Sequence, residues 1–316
     1  MRPCVVVVGA GFAGFHTARR LRRLLKDAAE VVVISNTNYF LYVPLLPQTA
    51  GGVLDPRRLA VPLNQRLPGV RSIPGEVDTI DFDQRRVDYR TSGGGQGSVE
   101  YDRLVIAVGS VHKLLPIPGV AEHAHGFRGI PEALYLRDHL IRQVELASLV
   151  DSPAERAACN TFVVVGAGYT GTEVTAHGQL LTQKLARWLP PLASTPPRWL
   201  LVDIAPRVLP ELDERLSRTA SRVLRRRGVE LYLETSVEKA TADGVQLSTG
   251  EHIPTRTLVW CVGCGRTRWW RASDSPRGRA GWWSMSGSRC PTTRRCTPAA
   301  TPPRWGCRTS PARWRR

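Results

Sequence analysis

Residues 4–8 form an unbroken apolar run, CVVVV, after which the period changes and Phe15, Ala18, Leu21, Leu24 and Leu25 recur at helical spacing. Glycines 9, 11 and 14 sit at the change. The pattern predicts a buried strand, a tight glycine turn and an amphipathic helix. The same order returns 157 positions later, where TFVVVGAGYTGTEVTAHGQLL sets Gly166, Gly168 and Gly171 between a Val-rich strand and a helix.

Each unit continues in the same way. EVDTIDFDQRRVDYRTSGGGQGSVEYDRLVIAVG alternates as a three-stranded meander with a Gly-rich turn, and it ends in a strand expected to be buried, at Gly109. VELYLETSVEKATADGVQLSTGEHIPTRTLVWCVG repeats that plan and ends at Gly263. The expected fold class is therefore α/β: two Rossmann-like dinucleotide-binding domains, each with an inserted β-meander. The expected boundaries are 1–117 for the first domain, 118–160 for a connecting helical segment, 161–263 for the second domain and 264–316 for a tail.

The glycines have separate tasks. The first permits the turn, the second lets backbone approach a pyrophosphate, and the third lets helix pack on strand, so that phosphates meet free N–H groups at the helix N-terminus. One GxGxxG is weak evidence; two in the same context argue against coincidence. The strand after the second turn, RWLLVD, ends in Asp203, placed to accept hydrogen bonds from an adenosine ribose and to repel a 2′-phosphate. NADH is thus expected over NADPH. In the first unit EVVVIS ends in Ser35 and Asn36, so ribose recognition there falls to a hydroxyl or an amide.

Composition changes this picture only near the end of the chain. Residues 266–316 hold thirteen Arg, six of the nine Trp and one acid, Asp274, with no Leu, Ile, Val, Phe, Tyr, Lys or Glu. Such a segment has almost nothing to bury, and disorder is expected. It carries +12 of the formal +17, so the body is mildly basic, without an evident basic stripe, and no specific nucleic-acid partner is expected. No apolar run approaches the roughly 18 residues of a membrane span, and no signal peptide is visible. The seven Cys form no even framework. Cys261 and Cys264 have CxxC spacing but no second pair to complete a zinc cage, so no metal is expected and a reduced, cytoplasmic chain fits best.

NTNYFLYVPLLPQTAGG, YDRLVIAVGS, PIPGVAEHAHGFRGIPEALYLRDHL and FVVVGAGYTGTEV, in this order, resemble type II NADH:quinone oxidoreductases from Arg2 to about Gly263. The resemblance implies FAD in the first domain and NADH in the second. It makes Gly9, Gly11, Phe12, Ala13 and Gly14 the cradle of the FAD pyrophosphate, with Ser35 and Asn38 near its adenosine, Val77 meeting the adenine by backbone and Gly109 closing the pocket. Gly166, Gly168 and Gly171 would meet the NADH pyrophosphate and Asp203 its ribose, with Gly263 completing the set. Gln48 and Glu173 would stand at the reaction centre. VPLLP reads equally as an apolar loop packed between domains, and Glu173 has a second reading as a charge in a helix's first turn.

The implied reaction passes hydride from nicotinamide to flavin and electrons on to a quinone, with the protein supplying proximity and electrostatics. The resemblance also implies peripheral attachment at the cytosolic face of a membrane, and it leaves room for a homodimer. A disulfide reductase would need a cysteine pair between Phe12 and Leu59, where there is none. Sulfide:quinone oxidoreductase, the nearest alternative, would need flavin-side cysteines, and Cys159 lies in the linker.

The tail invites a reading of another class: an inactive, frameshifted product whose arginines bind anions only non-specifically. Pairing each codon's last base with the next codon's first two turns Trp282–Trp283 into Val, and Ser284 to Ser286 then permit Val-Asp-Glu. Gly263 through Arg271 permit Val-Arg-Pro-Asp-Pro-Leu-Val-Glu. Thr297 through Pro303 permit Ala-Cys-Gly-Asp-Ala-Ala, the Gly-Asp motif that the resemblance places at the flavin's ribityl region. The frame is expected to shift near Gly263 or Cys264, with weak or absent FAD retention as the result.

Overall fold

Two sheets with parallel cores, each begun by one of the glycine units, organise residues 2–112 and 114–266, the part of the chain described in this computed structural model. The tail beyond 266, for which disorder is expected, lies outside the described residues.

The first unit runs β1 (Cys4–Val8), α1 (Phe12–Leu25), β2 (Glu30–Ser35), a small β3–β4 pair (Tyr39–Leu41, Ala60–Pro62) enclosing α2 (Leu46–Ala50), then α3 (Leu63–Arg66). The meander β5 (Arg71–Asp81), β6 (Arg86–Thr91) and β7 (Gln96–Glu100) follows, before β8 (Arg103–Ile106) and β9 (Ser110–His112). A segment with α4 (Val120–His123), β10 (Ala124–Gly126), α5 (Ile130–Leu149) and α6 (Pro153–Cys159) leads to the second unit. That unit runs β11 (Thr161–Val165), α7 (Tyr169–Ala186), β12 (Arg198–Val202), α8 (Glu214–Arg226) and β13 (Val229–Tyr232). It closes with the meander β14 (Val237–Thr241), β15 (Gly244–Leu247) and β16 (His252–Pro254), then β17 (Thr257–Trp260) and β18 (Cys264–Arg266).

The Val-rich strands read as continuous apolar runs because both their faces are covered. In the first sheet Val7, Val31 and Val33 pack under Phe15 and Ala18 of α1, while Val6, Val8 and Ile34 pack under Val77, Ile80, Val87 and Val99 of the meander. The second sheet repeats this. Phe162, Val164, Trp199 and Leu201 face the helices, and Val163, Val165, Leu200 and Val202 face Val237, Val245, Leu247 and Ile253. The duplication visible in the sequence is thus a duplication of packing.

The two meanders join their sheets differently. β5 runs straight on from its parallel ladder with β2 into its antiparallel ladder with β6. In the second unit Glu234 adopts φ 53°, a left-handed conformation that ends β13, and β14–β15–β16 form a sheet of their own.

Four expectations need correction. The segment 118–160 is not purely helical, since β10 pairs with β17 and becomes the outer strand of the order β10-β17-β11-β12-β13. β8 is not buried: in the order β7-β6-β5-β2-β1-β8 it is the last strand, and Leu104, Val105 and Ile106 are only half-buried, whereas all four residues of β17 are buried. Described structure continues past Gly263, because Cys264–Arg266 pairs with Ser110–His112. The body does carry a basic stripe: helical spacing brings Arg215, Arg218, Arg222, Arg225 and Arg226 of α8 to exposed positions, although net charge is modest over the whole body.

His139 of α5 is buried beside β17, with Nε2 2.9 Å from Thr257 Oγ1. Burial, with a smaller contribution from His125, pushes its pKa from 6.5 down to about 4. The unfolded imidazole takes up a proton at higher pH than the folded one. The stability that His139 contributes is therefore full above about pH 6.5 and is lost as pH falls toward about 4, by on the order of 2–3 kcal/mol. Urea unfolding at neutral and acid pH should show this fall in the natural chain, and a shallower one in His139→Gln.

Candidate functional site

Both glycine turns are built to the same plan. Gly9 has φ +96° and Gly166 φ +106°, a region that side chains other than hydrogen rarely adopt. Their N–H groups donate to Ile34 O and Val202 O, each at 2.8 Å, which ties each turn to the neighbouring strand. A Cβ on Gly14 would stand 1.8 Å from Gly9 O, and one on Gly171 would stand 1.8 Å from Gly166 O. A Cβ on Gly11 or Gly168 would meet nothing within 4 Å. First and third glycines are therefore required by packing, whereas the second keeps open space in front of the helix.

That space faces free donors. Gly11 and Gly168 are the N-caps of α1 and α7, neither helix start has a side-chain cap, and neither first turn holds an acid. Such a terminus offers N–H groups and a positive dipole end to an anion. The cradles fit two dinucleotide pyrophosphates.

Asp203 directly follows β12. Its carboxylate accepts the Ala167 N–H through Oδ2 and the Ala205 N–H through Oδ1 at 2.7 Å, binding the second glycine turn to the strand end. An ionised carboxylate has roughly four acceptor positions, so capacity for ribose hydroxyls remains. Ser35, its counterpart, is buried, and its Oγ accepts the Thr37 N–H at 3.5 Å. Asn38 is exposed, and its carbonyl holds Leu63 N at the start of α3. Val77 is buried at the bulge of β5 opposite Tyr89. Gly109 (φ +69°) and Gly263 (φ +51°) occupy matching positions after β8 and β17, both exposed.

The loop before α2 divides between its two readings. Leu46 is fully buried in the core shared with α5 and α7, as an interdomain packing loop requires. Val43 and Leu45 are exposed, together with Tyr42 and with Phe12, whose ring lies edge-on to Phe40 at 4.9 Å and 5.6 Å from Tyr42. Ala13 is exposed beside it. An apolar lip thus borders the first cradle. Gln48 lies on α2 with its Oε1 buried and unpartnered.

Glu173 falls in the second turn of α7, and burial raises its pKa. A helix dipole acts mainly within the first turn, so a residue in the second turn gains little from it. A half-buried acid near the second cradle is instead suited to holding or passing a proton.

Cys261 lines the back of the second cradle, its Cβ 3.3 Å from where a Gly171 side chain would begin, and burial pushes its thiol up to about 12. It is no thiolate nucleophile at neutral pH. A depression of about 960 Å³ lies near Arg2, Cys4, Glu30 and Asp102 at the opposite end of β1 from the glycine turn, and its mixed charges select no ligand class.

Duplicated dinucleotide cradles define a superfamily, and comparison identifies which. Residues 3–279 match the family model for pyridine nucleotide-disulphide oxidoreductases. The chain belongs to that family. Among pyridine nucleotide-disulphide oxidoreductases it is 30% identical over 268 residues to a probable NADH dehydrogenase of Dictyostelium discoideum, covering 83% of this chain and 59% of that protein. It is 31% identical over 272 residues to the type II NADH:quinone oxidoreductase Ndh of Mycobacterium tuberculosis, covering 84% and 58%. The chain thus spans under two thirds of the length of either relative. The fold also matches the NDH2 structure from Plasmodium falciparum in complex with NADH, with a TM-score of 0.79 at 20% identity over 84% of this chain and 56% of that one. The resemblance read from the motifs is borne out by these relatives.

Proposed function

We propose that this chain is built to take hydride from NADH, pass the electrons to FAD and deliver them to a quinone. The duplicated cradle carries the reading: two uncapped helix starts, each with a second glycine that leaves room for a pyrophosphate. FAD, when bound, would supply the electron-pair acceptor. The protein's own part is positional. Gly9, Gly11 and Gly14 hold one dinucleotide, Gly166, Gly168 and Gly171 the other, Asp203 selects a ribose without a 2′-phosphate, and Glu173 holds a proton near the second cradle. The names of the relatives support NADH and quinone as substrates.

The proposal extends to place. A quinone dissolved in a bilayer is reached from the membrane surface, so we propose peripheral attachment at the cytosolic face for intact members of the family and a cytoplasmic location for this chain. Among the described residues no helix is long and apolar enough to cross a membrane.

We further propose that the residues after Gly263 are read out of frame and that FAD retention is weak. The support is internal: β17 has an outer neighbour, β10, and β8 has no such neighbour among the described residues, while a Gly-Asp motif is permitted by Thr297 through Pro303 in the shifted frame.

The test is anaerobic addition of NADH to the full chain incubated with FAD, followed by a soluble quinone. Bleaching of the flavin and its return on quinone addition are expected. Bound flavin that NADH leaves oxidised would refute the assignment. In the same assay Asp203→Asn should narrow the preference for NADH over NADPH by about tenfold, equivalent to ~1.4 kcal/mol.

A further inference from the structure

The proposed reaction takes one proton from solvent. NADH, a quinone and one proton give NAD+ and quinol; the hydride carries two electrons and one proton, and water must supply the second proton. Glu173 is half-buried and needs a route to that water.

One turn along α7 stands His177, whose i, i+4 spacing puts it on the same face with its Cβ about 5–6 Å from that of Glu173. Its Nδ1 is buried without a hydrogen-bond partner. Gly51, just after α2, approaches so closely that a Cβ there would lie 2.7 Å from the His177 Cβ. From α2, Gln48 Oε1 and Thr49 Oγ1 are also buried and unpartnered, and Thr49 is fully enclosed. Buried polar atoms almost always find a partner in protein or ordered water. Three without one where α2 packs on α7 mark a place for water.

α2 bears no charged residue. Burial, then the charge of Arg227 beyond the end of α8, hold the His177 pKa below its ordinary value, so the imidazole is neutral near pH 7, able to accept and release a proton.

We propose that the seam between α2 and α7 is a water-bridged proton inlet and that His177 relays protons along it to Glu173. This deepens the quinone-reduction reading and rests on it.

The test titrates the full chain by NMR with ¹³C at the glutamate carboxyl carbons, Glu173 being assigned with Glu173→Gln. Coupled neighbours titrate as a pair, so the Glu173 signal should show a second inflection at the pKa of His177. His177→Gln, polar but unable to carry a proton, should remove that inflection. Thr49→Val, matched in shape but lacking the hydroxyl, should weaken it at an unchanged melting temperature. After loading with FAD, both variants should form quinol at least roughly fivefold more slowly while NADH reduces the flavin at the natural rate. A Glu173 titration identical in all three forms overturns the relay. Coupling lost in His177→Gln but untouched in Thr49→Val overturns the seam as the inlet. If NADH reduces flavin in no form while the NMR coupling persists, the redox reading falls and the hydrogen-bonded relay stands.

Discussion

Gly171→Ala should destabilise the chain by about 3 kcal/mol and lower its melting temperature by roughly 6–12 °C, whereas Gly168→Ala should leave both within about 0.5 kcal/mol of the natural values. The difference is geometric. A methyl at position 171 would stand 1.8 Å from Gly166 O, and that oxygen belongs to a backbone turn held to Val202 by its own N–H. Either helix or turn must move, and Cys261 behind them leaves no slack. At position 168 the methyl meets nothing in the protein and the backbone has φ −72°, open to any residue. It would instead occupy the space in front of the α7 start. NADH affinity in Gly168→Ala should therefore fall about a hundredfold, ~2.7 kcal/mol, with the fold intact. Thermal unfolding and NADH titration of the two variants separate packing from binding. Equal destabilisation with equal binding would mean that both glycines serve packing alone.

A one-base correction of the gene at the Gly263–Cys264 codons should raise bound FAD in the purified chain from well below stoichiometric to about one per chain. The second sheet shows why. Its strand β17 lies between β10 and β11, and Thr257, Leu258, Val259 and Trp260 are all buried. β8 holds the equivalent place in the first sheet with one neighbour among the described residues, β1, and its apolar residues are half-buried. The corrected frame would offer Val-Val-Asp-Glu as a strand and Ala-Cys-Gly-Asp-Ala-Ala as the motif after it. Flavin absorbance per chain after gel filtration decides the matter. Full FAD occupancy in the uncorrected chain would show that the first cradle needs neither segment.

The sequence made both cradles legible because their parts are local. Glycine spacing, the apolar run before it and the helical period after it all lie within about twenty residues, and each is set by backbone sterics rather than distant contacts. The position of Asp203 was equally legible, but its bonds to Ala167 and Ala205 were not, since they depend on how the turn folds back over the strand end. β10 is not legible, because Ala-His-Gly carries no strand pattern and is recruited by the edge of β17. The charge of α8 vanished into an average over the body, whereas a helical projection of Glu214–Arg226 would have found it. His177 belongs to no motif. Its interest comes from burial beside α2, a segment more than a hundred residues earlier, and contacts of that separation leave no trace in local pattern.

Whether the second glycine turn is a complete NADH cradle is read out by a fluorescence titration of the full chain with NADH and, separately, NADPH. Saturable binding of NADH, at least about tenfold tighter than NADPH and lost in Gly168→Ala, is the predicted result. Failure of either nucleotide to bind a chain that melts cooperatively, or binding that Gly168→Ala leaves unchanged, would contradict it.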